Sequence, residues 1–572
     1  KNCANISYFE RGIYMVYSNN VTVYNVSLFM NTAGTAYGIA LNYTSNSNLT
    51  EINSSQNDCG VYLYYSQSNI LTNITANLNS QQGIYLIYSS QGNILTNITA
   101  NSNSQQGIYI YTGSGNTSIT YATVSSNGNM GISLWQTSSN RLTNITATEN
   151  AGYDLFVAGT LDSHCSNTVS NFTGSGNRPI KYYNSSVSLS NEVLAELELC
   201  NADNSNITNV TIIGSASIKN NGMYLAMTDN SNLTGVNSSY RYMGIDLSFS
   251  SNNSFTNATL NYNSQYGILI QYDSDYNNIT GSRLQGNTNS GIYLGESGSY
   301  DPEYNRIWNN YLNNTLNVQI VTGITNANYF NVSKNCSSGT NIIGGPCIGG
   351  NYWTDPVGGN FSDGCIDTSP ADGICDSEYN LSVGSSAAYD YLPLTYAIPT
   401  VLLESPANNT INTTDSTPDF RFNVSGWVSS TYNCSLYTNR TGTGTPTLQA
   451  YNSSTLNATS TTMTASSNLA NGNYDWWVNC TDNSQGRTNQ SEKRNISISL
   501  GAPSVFLESP ANNTINTTDS TPDFKFNVSY SLSGTFNCSL YTNLSVGGTP
   551  TLQAYNSSTL NSTSTTLTPS SN

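Results

Sequence analysis

Residues 69–92 read NILTNITANLNSQQGIYLIYSSQG, and residues 93–115 follow as NILTNITANSNSQQGIYIYTGSG. These lines are one unit written twice, and self-similarity at such a period marks a repeat architecture. The glycine that opens the apolar run recurs at Gly12, Gly38, Gly60, Gly83, Gly107, Gly131 and Gly152, then at Gly222, Gly244, Gly267 and Gly291. Spacings are 21–26 residues around one gap of 70, which holds three coils of about 23. Each unit carries Gly-Ile-Tyr-Leu, a polar turn, then Ile/Leu-Thr-Asn-x-Thr. The short runs alternate with period two and are β-branched or aromatic, so they read as strands; no helical period competes. Short strands in so short a unit predict an all-β fold built on a parallel β-helix, coils pairing at ~4.8 Å. About 14 coils over residues 1–335 would make a rod ~65–70 Å long.

Alternation assigns the faces. Ile84, Leu86, Ile108 and Ile110 point inward, Tyr85 and Tyr109 outward, and Tyr14, Tyr62, Tyr224 and Tyr293 fall at the same outward position. A column of rings results, either cross-strand packing on a solvated face or a binding face centred on Tyr62, Tyr85 and Tyr109. A second column, Asn48, Asn69, Asn93, Asn116, Asn140, Asn232, Asn253 and Asn277, is expected to stack amide on amide. Residues 153–221 blur the register, and NEVLAELELC at 191–200 suits a strand as well as a helix.

Only 9% of the 572 residues are charged and the net charge is −17, which argues against nucleic-acid or anionic-membrane partners. No apolar run reaches 18 residues, so no transmembrane segment is expected. Amides and hydroxyls must keep the surface wet. Of 86 asparagines, 41 stand in Asn-x-Ser/Thr triplets, which predicts dense N-glycosylation of a secreted protein. The expected glycan carriers are Asn5, Asn25, Asn42, Asn53, Asn73, Asn171, Asn184, Asn209, Asn237, Asn257, Asn331, Asn360 and Asn380, with Asn412, Asn423, Asn439, Asn452, Asn457, Asn489, Asn516, Asn527, Asn543 and Asn556 further on. Asn73 and Asn97 sit one coil apart, ~4.8 Å, too close for two full glycans. The chain lacks an initiator Met and a leader, so it reads as processed or as part of something longer.

This coil pattern resembles the right-handed parallel β-helix repeat of the pectate-lyase-like superfamily, and within it the NosD-type repeats of archaeal surface proteins. The stretch from Asn351, NYWTDPVGGNFSDGCIDTSPADGICDSEYN with YDYLPLTY, resembles the terminal element of such repeats. By that resemblance residues 336–398 close the solenoid. Asp363, Asp367, Asp372, Asp376 and Asp390 could offer oxygens to Ca²⁺, the alternative being an acidic loop pinned by disulfides.

Texture changes after Pro399. Residues 404–420 read ESPANNTINTTDSTPDF and return letter for letter at 508–524. This predicts two Ig-like sandwiches, 399–501 and 502–572, the second cut short, its last strands supplied by an unseen continuation or by a neighbour. Eleven cysteines leave Cys538 as the orphan, with proximity suggesting Cys434–Cys480, Cys365–Cys375, Cys336–Cys347, Cys165–Cys200 and Cys3–Cys59. Disulfides fit an extracellular compartment.

Many β-helix proteins act on acidic polysaccharides, and this chain matches their catalytic patterns poorly. No Asp-Asp pair or Asn-Thr-Asp occurs, and the sole histidine, His164, adjoins Cys165. Arg241 with Asp246, Asp273 and Asp275 is the nearest imitation of a lyase centre, and Asp301-Pro302-Glu303 that of an epimerase. The copper role attached to the NosD name needs imidazole or soft ligands, against one His and seven scattered Met. No catalytic residue and no cofactor beyond Ca²⁺ and covalent glycans is expected. The function expected is an N-glycosylated structural protein of the cell surface, not an enzyme, that assembles with copies of itself into a surface layer or extracellular filament. The alternatives are an adhesin holding carbohydrate or another cell on its Tyr face, and a polysaccharide lyase or hydrolase.

Overall fold

The computed structural model describes residues 6–30, 36–295, 300–321, 328–337, 339–368, 372–381, 388–396, 398–427, 429–442, 444–530, 534–543 and 548–570. The chain divides into two units, Lys1–Tyr396 and Ala397–Asn572.

In the first unit the Gly-Ile-Tyr-Leu runs form one wall of parallel strands, from Arg11–Val16 through Ile84–Ile87 and Ile108–Tyr111 to Leu155–Ala158. The register is one repeat per strand: Ile84 pairs Ile108, and Ile108 pairs Ile132. The Ile/Leu-Thr-Asn-x-Thr runs, such as Ile70–Thr75 and Ile94–Thr99, form a facing wall. Strict alternation fails in this wall. Leu71 and Ile74 are both buried although three residues apart, because Asn73 between them is left-handed at φ 54°. Asn97, Asn144 and Asn171 repeat the kink at φ 58°, 55° and 50°, a conformation asparagine accepts more readily than most residues. Each fully buried Leu or Ile contributes about 1.5–3 kcal/mol.

The expected parallel β-helix is found, and among the described residues its buried side chains gather into two core clusters. After Thr168–Gly174 the chain turns back, and Arg178–Tyr183 pairs antiparallel to it through Thr173 with Pro179 and Gly174 with Arg178. From there a second stack builds in parallel through Glu196–Cys200, Met223–Ala226, Ile245–Ser248 and Tyr266–Gln271. Leu197 and Leu199 enter the second core, while Tyr224 and Ala226 pack with the first. Residues 191–200 are therefore strand, Val193–Leu194 and Glu196–Cys200. Tyr352–Thr354 pairs parallel with Tyr311–Asn313 and buries Trp353 in the second core, so this part of the expected cap is itself a coil strand.

In the second unit Thr400–Ser405, Asp419–Ser425 and Thr459–Thr464 form one antiparallel sheet. Thr431–Arg440, Thr447–Leu456, Gly472–Asp482 and Arg494–Ile498 form another, and Phe420 meets Trp476 at 4.7 Å in a shared core, which fits a β-sandwich. Cys434 and Cys480 pair directly across neighbouring strands of one sheet, Cα atoms 4.1 Å apart, rather than between sheets as in antibody domains. In the copy that follows, Leu507 is 85% exposed where its counterpart Leu403 is 2% exposed. Leu403→Ala is expected to cost about 2–5 kcal/mol, read by thermal unfolding.

Candidate functional site

The polar interior comes first, because it consumes most of the groups that could do chemistry. In each coil a buried asparagine accepts, on Oδ1, the backbone N–H of the residue one coil below. Asn57, Asn79, Asn103 and Asn127 donate their backbone N–H groups to Asn79, Asn103, Asn127 and Asn150 at 2.9–3.0 Å. The Nδ2 groups of Asn79, Asn103 and Asn127 reach the same acceptors at 2.8–3.0 Å. A second ladder runs Ser47, Asn69, Asn93, and on through Thr117, Asn140, Asn167. Others run Asn253, Asn277, Asn305, and Asn263, Asn287, Asn314. Asn48, Asn116 and Asn232, placed in this column by spacing, are exposed; Ser47, Thr117 and Ser231 take the inward position, because the turn lengths differ by one residue.

Carboxylates end two ladders. Asn150 Nδ2 donates to Asp154 Oδ1 at 2.8 Å. In the second stack Asn310 donates to Asn351, whose own N–H donates to Asp390 Oδ2 at 2.8 Å. Trp353 Nε1 also donates to Asp390, at 2.7 Å, and burial pushes this carboxyl up to about 7 against those donors.

Where the two stacks meet, the wall strand Leu155–Ala158 has no strand above it. Glu196 accepts from the backbone N–H groups of Asp154 and Leu155 at 3.0 and 3.2 Å, and Glu198 from that of Val157 at 3.2 Å. Two side chains thus stand in for a strand at an open edge. Both are fully buried, and burial holds both carboxyls well above the usual range; for Glu196 the neighbouring Glu198 and Asp154 add to the rise. Asp154 is raised by burial against bonds from Ser175, Asn221 and Asn150. Asp246 is raised to about 7 by burial, with Gln271 donating at 3.1 Å. Phe156 against Tyr224 at 4.8 Å and the Cys165–Cys200 disulfide cross the same seam. Tyr224, expected outward, is buried here because the first stack covers it.

The candidate catalytic sets are not assembled. Among the described residues no ion pair joins Arg241 to Asp246, Asp273 or Asp275. Arg241 is lowered to about 10 by burial and by Arg178. His164 Nδ1 accepts from the Thr160 N–H at 3.2 Å. Burial first, and Glu303 nearby, raise Asp273, Asp275 and Asp301, with Asp301 adding at Asp273 and Asp273 at Asp275.

The expected Ca²⁺ ligands are spent separately. Asp363 accepts from Tyr352, Thr354 and the Asn360 N–H at 2.8–3.0 Å. Asp367 accepts from the N–H groups of Asp372 and Gly373, and Asp376 from Thr368. Asp372 pairs with Lys334. No group of three metal-ligating side chains converges among the described residues. Four disulfides join Cys165–Cys200, Cys336–Cys347, Cys365–Cys375 and Cys434–Cys480. Cys59 departs from the expected Cys3–Cys59 pair: it is a free thiol turned into the coil interior, and Cys3 lies outside the described residues.

The outer face of the Gly wall is aromatic. Tyr62, Tyr85 and Tyr109 follow one another, with Tyr85 and Tyr109 stacked at 5.0 Å and Tyr62 edge-on to Tyr85 at 5.7 Å. Beside them Tyr17, Tyr43, Tyr65 and Tyr88 stack at 5.0, 5.0 and 6.0 Å along the turn that ends each strand. All four are left-handed, φ 47–49°, where a tyrosine costs about 1–2 kcal/mol. Spacing gave the first column; the second carried no signal, since Gly or Asn is the usual residue there.

Asn73 and Asn97 are adjacent as expected, Asn97 Nδ2 donating to Asn73 Oδ1 at 3.0 Å. Peptide mapping of the native protein should find at most one of the two fully glycosylated. Asn5 lies outside the described residues.

Comparison places these features in a family. No curated protein matches the chain. Solved structures similar to it include the Azotobacter vinelandii mannuronan C-5 epimerase AlgE6 A-module, 12% identical, covering 54% of this chain and 88% of that one, TM-score 0.29. Pectate lyase Pel9A is 11% identical over 57% of this chain and 68% of its own, TM-score 0.24. The catalytic domain of a GH87 α-1,3-glucanase is 12% identical over 55% and 57%, TM-score 0.27. At these scores none carries an argument about chemistry. The profile described as "Periplasmic copper-binding protein (NosD)" matches residues 2–151 and 143–358, most of the chain, and the protein belongs to the NosD family.

Proposed function

We propose that this chain is a structural protein of the cell surface or extracellular space, which associates with copies of itself through the aromatic outer face of its first stack. The observation that supports this most is the set of stacked tyrosines at Tyr17, Tyr43, Tyr65 and Tyr88. Four successive coils accept left-handed strain at this position, and three of the rings, Tyr17, Tyr43 and Tyr88, are exposed. Contiguous exposed aromatic surface is the usual mark of an interface. Four disulfides suit an oxidising compartment, and among the described residues no helix is long and apolar enough to cross a membrane.

Among the described residues the His, Cys, Asp and Glu side chains do not fit the copper of the family's description. His164 is engaged by Thr160, eight cysteines are paired, and no three His, Cys, Asp or Glu side chains converge among the described residues. The buried carboxylates accept backbone N–H groups as a structural edge would, which supports a non-catalytic role.

Sedimentation velocity tests the reading. Wild-type protein should form dimers or larger species at micromolar concentration, and Tyr85→Ser with Tyr109→Ser should shift it to monomer. An unchanged distribution refutes the interface. A monomeric wild type that binds glycans through these tyrosines favours the carbohydrate-binding alternative.

A further inference from the structure

Buried asparagines and asparagines in Asn-x-Ser/Thr triplets are two sets that do not overlap among the described residues. Among the described residues twenty-one asparagines are buried, and none has Ser or Thr two residues later. Forty described asparagines do have Ser or Thr at that place, with no proline between, and none of them is buried. If burial and the triplet were unrelated, about half of the buried set would carry it, given how common the triplet is in this chain.

Part of the separation is geometric. In the ladder of Asn69 and Asn93 the second residue on is Leu71 or Leu95, which fills the core. In the other ladder that reason holds at the two ends, where Cys59 and Gly152 follow Asn57 and Asn150 and are buried, but not between them. After Asn79, Asn103, Asn127, Asn263 and Asn287 the corresponding residues are Gln81, Gln105, Asn129, Gln265 and Asn289. All five are at least partly exposed, at a surface turn where Ser or Thr fits as well. The chain uses Ser and Thr freely elsewhere, and at these five sites carries an amide instead.

We infer that the Asn-x-Ser/Thr triplets of this chain are read by an N-glycosylating transferase, and that the transfer precedes closure of the coils. Avoidance at buried positions has a purpose only in that order, because a folded coil already hides Asn103 from any enzyme. In the step itself, the side-chain amide nitrogen Nδ2 of a surface asparagine forms a bond to C1 of a phosphate-activated oligosaccharide. The bond from C1 to the phosphate oxygen breaks, the phosphate carrier leaves with the electron pair, and the Nδ2 proton passes to the transferase's base. A sugar placed this way on Asn103 would remove one donor of the ladder and wedge a bulky group between coils. On Asn25, Asn53 or Asn257 it projects into solvent. This inference does not depend on the self-association proposed above.

The test has two parts. Glycopeptide mass spectrometry of the native protein should find hexose- or hexosamine-bearing asparagines confined to the triplets. Gln105→Thr then creates a triplet at Asn103. Secreted from a host that N-glycosylates, this variant should gain a glycan at Asn103 and lose at least tenfold in folded yield. Made in a host without the transferase, it should fold like wild type, and Gln105→Ala should fold in both. Unmodified asparagines throughout the native protein overturn the inference. So does Gln105→Thr protein recovered folded, with Asn103 bare, from cells that have glycosylated its surface triplets.

Discussion

Asn93→Ala should destabilise the solenoid by about 4 kcal/mol, while Asn48→Ala changes it by less than about 0.5, in protein from a host that adds no glycans. Asn93 accepts from the Asn69 N–H at 2.9 Å and from Asn69 Nδ2 at 3.2 Å, and donates to the carbonyls of Ser66 and Ser90 at 3.0 and 2.8 Å. All lie in the dry interior, so truncation strands several groups at about 1–3 kcal/mol each. Asn48 touches only Thr50 through its side chain, at the surface. Differential scanning calorimetry at one pH reads both, and equal shifts would mean the ladder is not what joins the coils.

Stability should fall as pH rises from about 4 to 8, the reverse of ordinary acid denaturation. Asp154, Glu196, Glu198, Asp246 and Asp390 all have folded-state pKa values above their ordinary range, in each case through burial first. An acid raised on folding binds its proton more tightly in the native state. Its contribution is whole below the unfolded pKa near 4 and is lost progressively as pH climbs toward the folded value. For Asp246, raised to about 7, the loss is of the order of 4 kcal/mol. Net charge of −17 adds repulsion in the same direction. Urea midpoints should therefore be higher at pH 5 than at pH 8, with the slope reduced in Asp246→Asn. A midpoint that rises with pH would show these carboxylates ionised in the folded protein.

The sequence made the solenoid legible because each coil repeats the same apolar spacing, and the inward column of Ile84, Ile108 and Ile132 follows from it directly. The reversal at residues 174–178 was not legible: it left only a blurred register, because nothing in NFTGSGNRPI distinguishes a turn back from a turn onward. The alternation of Glu196 and Glu198 with leucines suits a strand, but it carries no sign that the face opposite Leu197 and Leu199 is covered by the first stack. Asn48 and Asn116 were placed one residue off the ladder, because spacing counts residues and a turn can absorb one. Asn73 was located correctly, but that it bends its wall depends on φ, which composition does not carry.

Electron microscopy of unfractionated native material tests the central claim most directly. Filaments or a lattice in which the wall of Tyr62, Tyr85 and Tyr109 lies between neighbouring copies is the predicted result. Dispersed single molecules, or an assembly that leaves those tyrosines facing solvent, would contradict it.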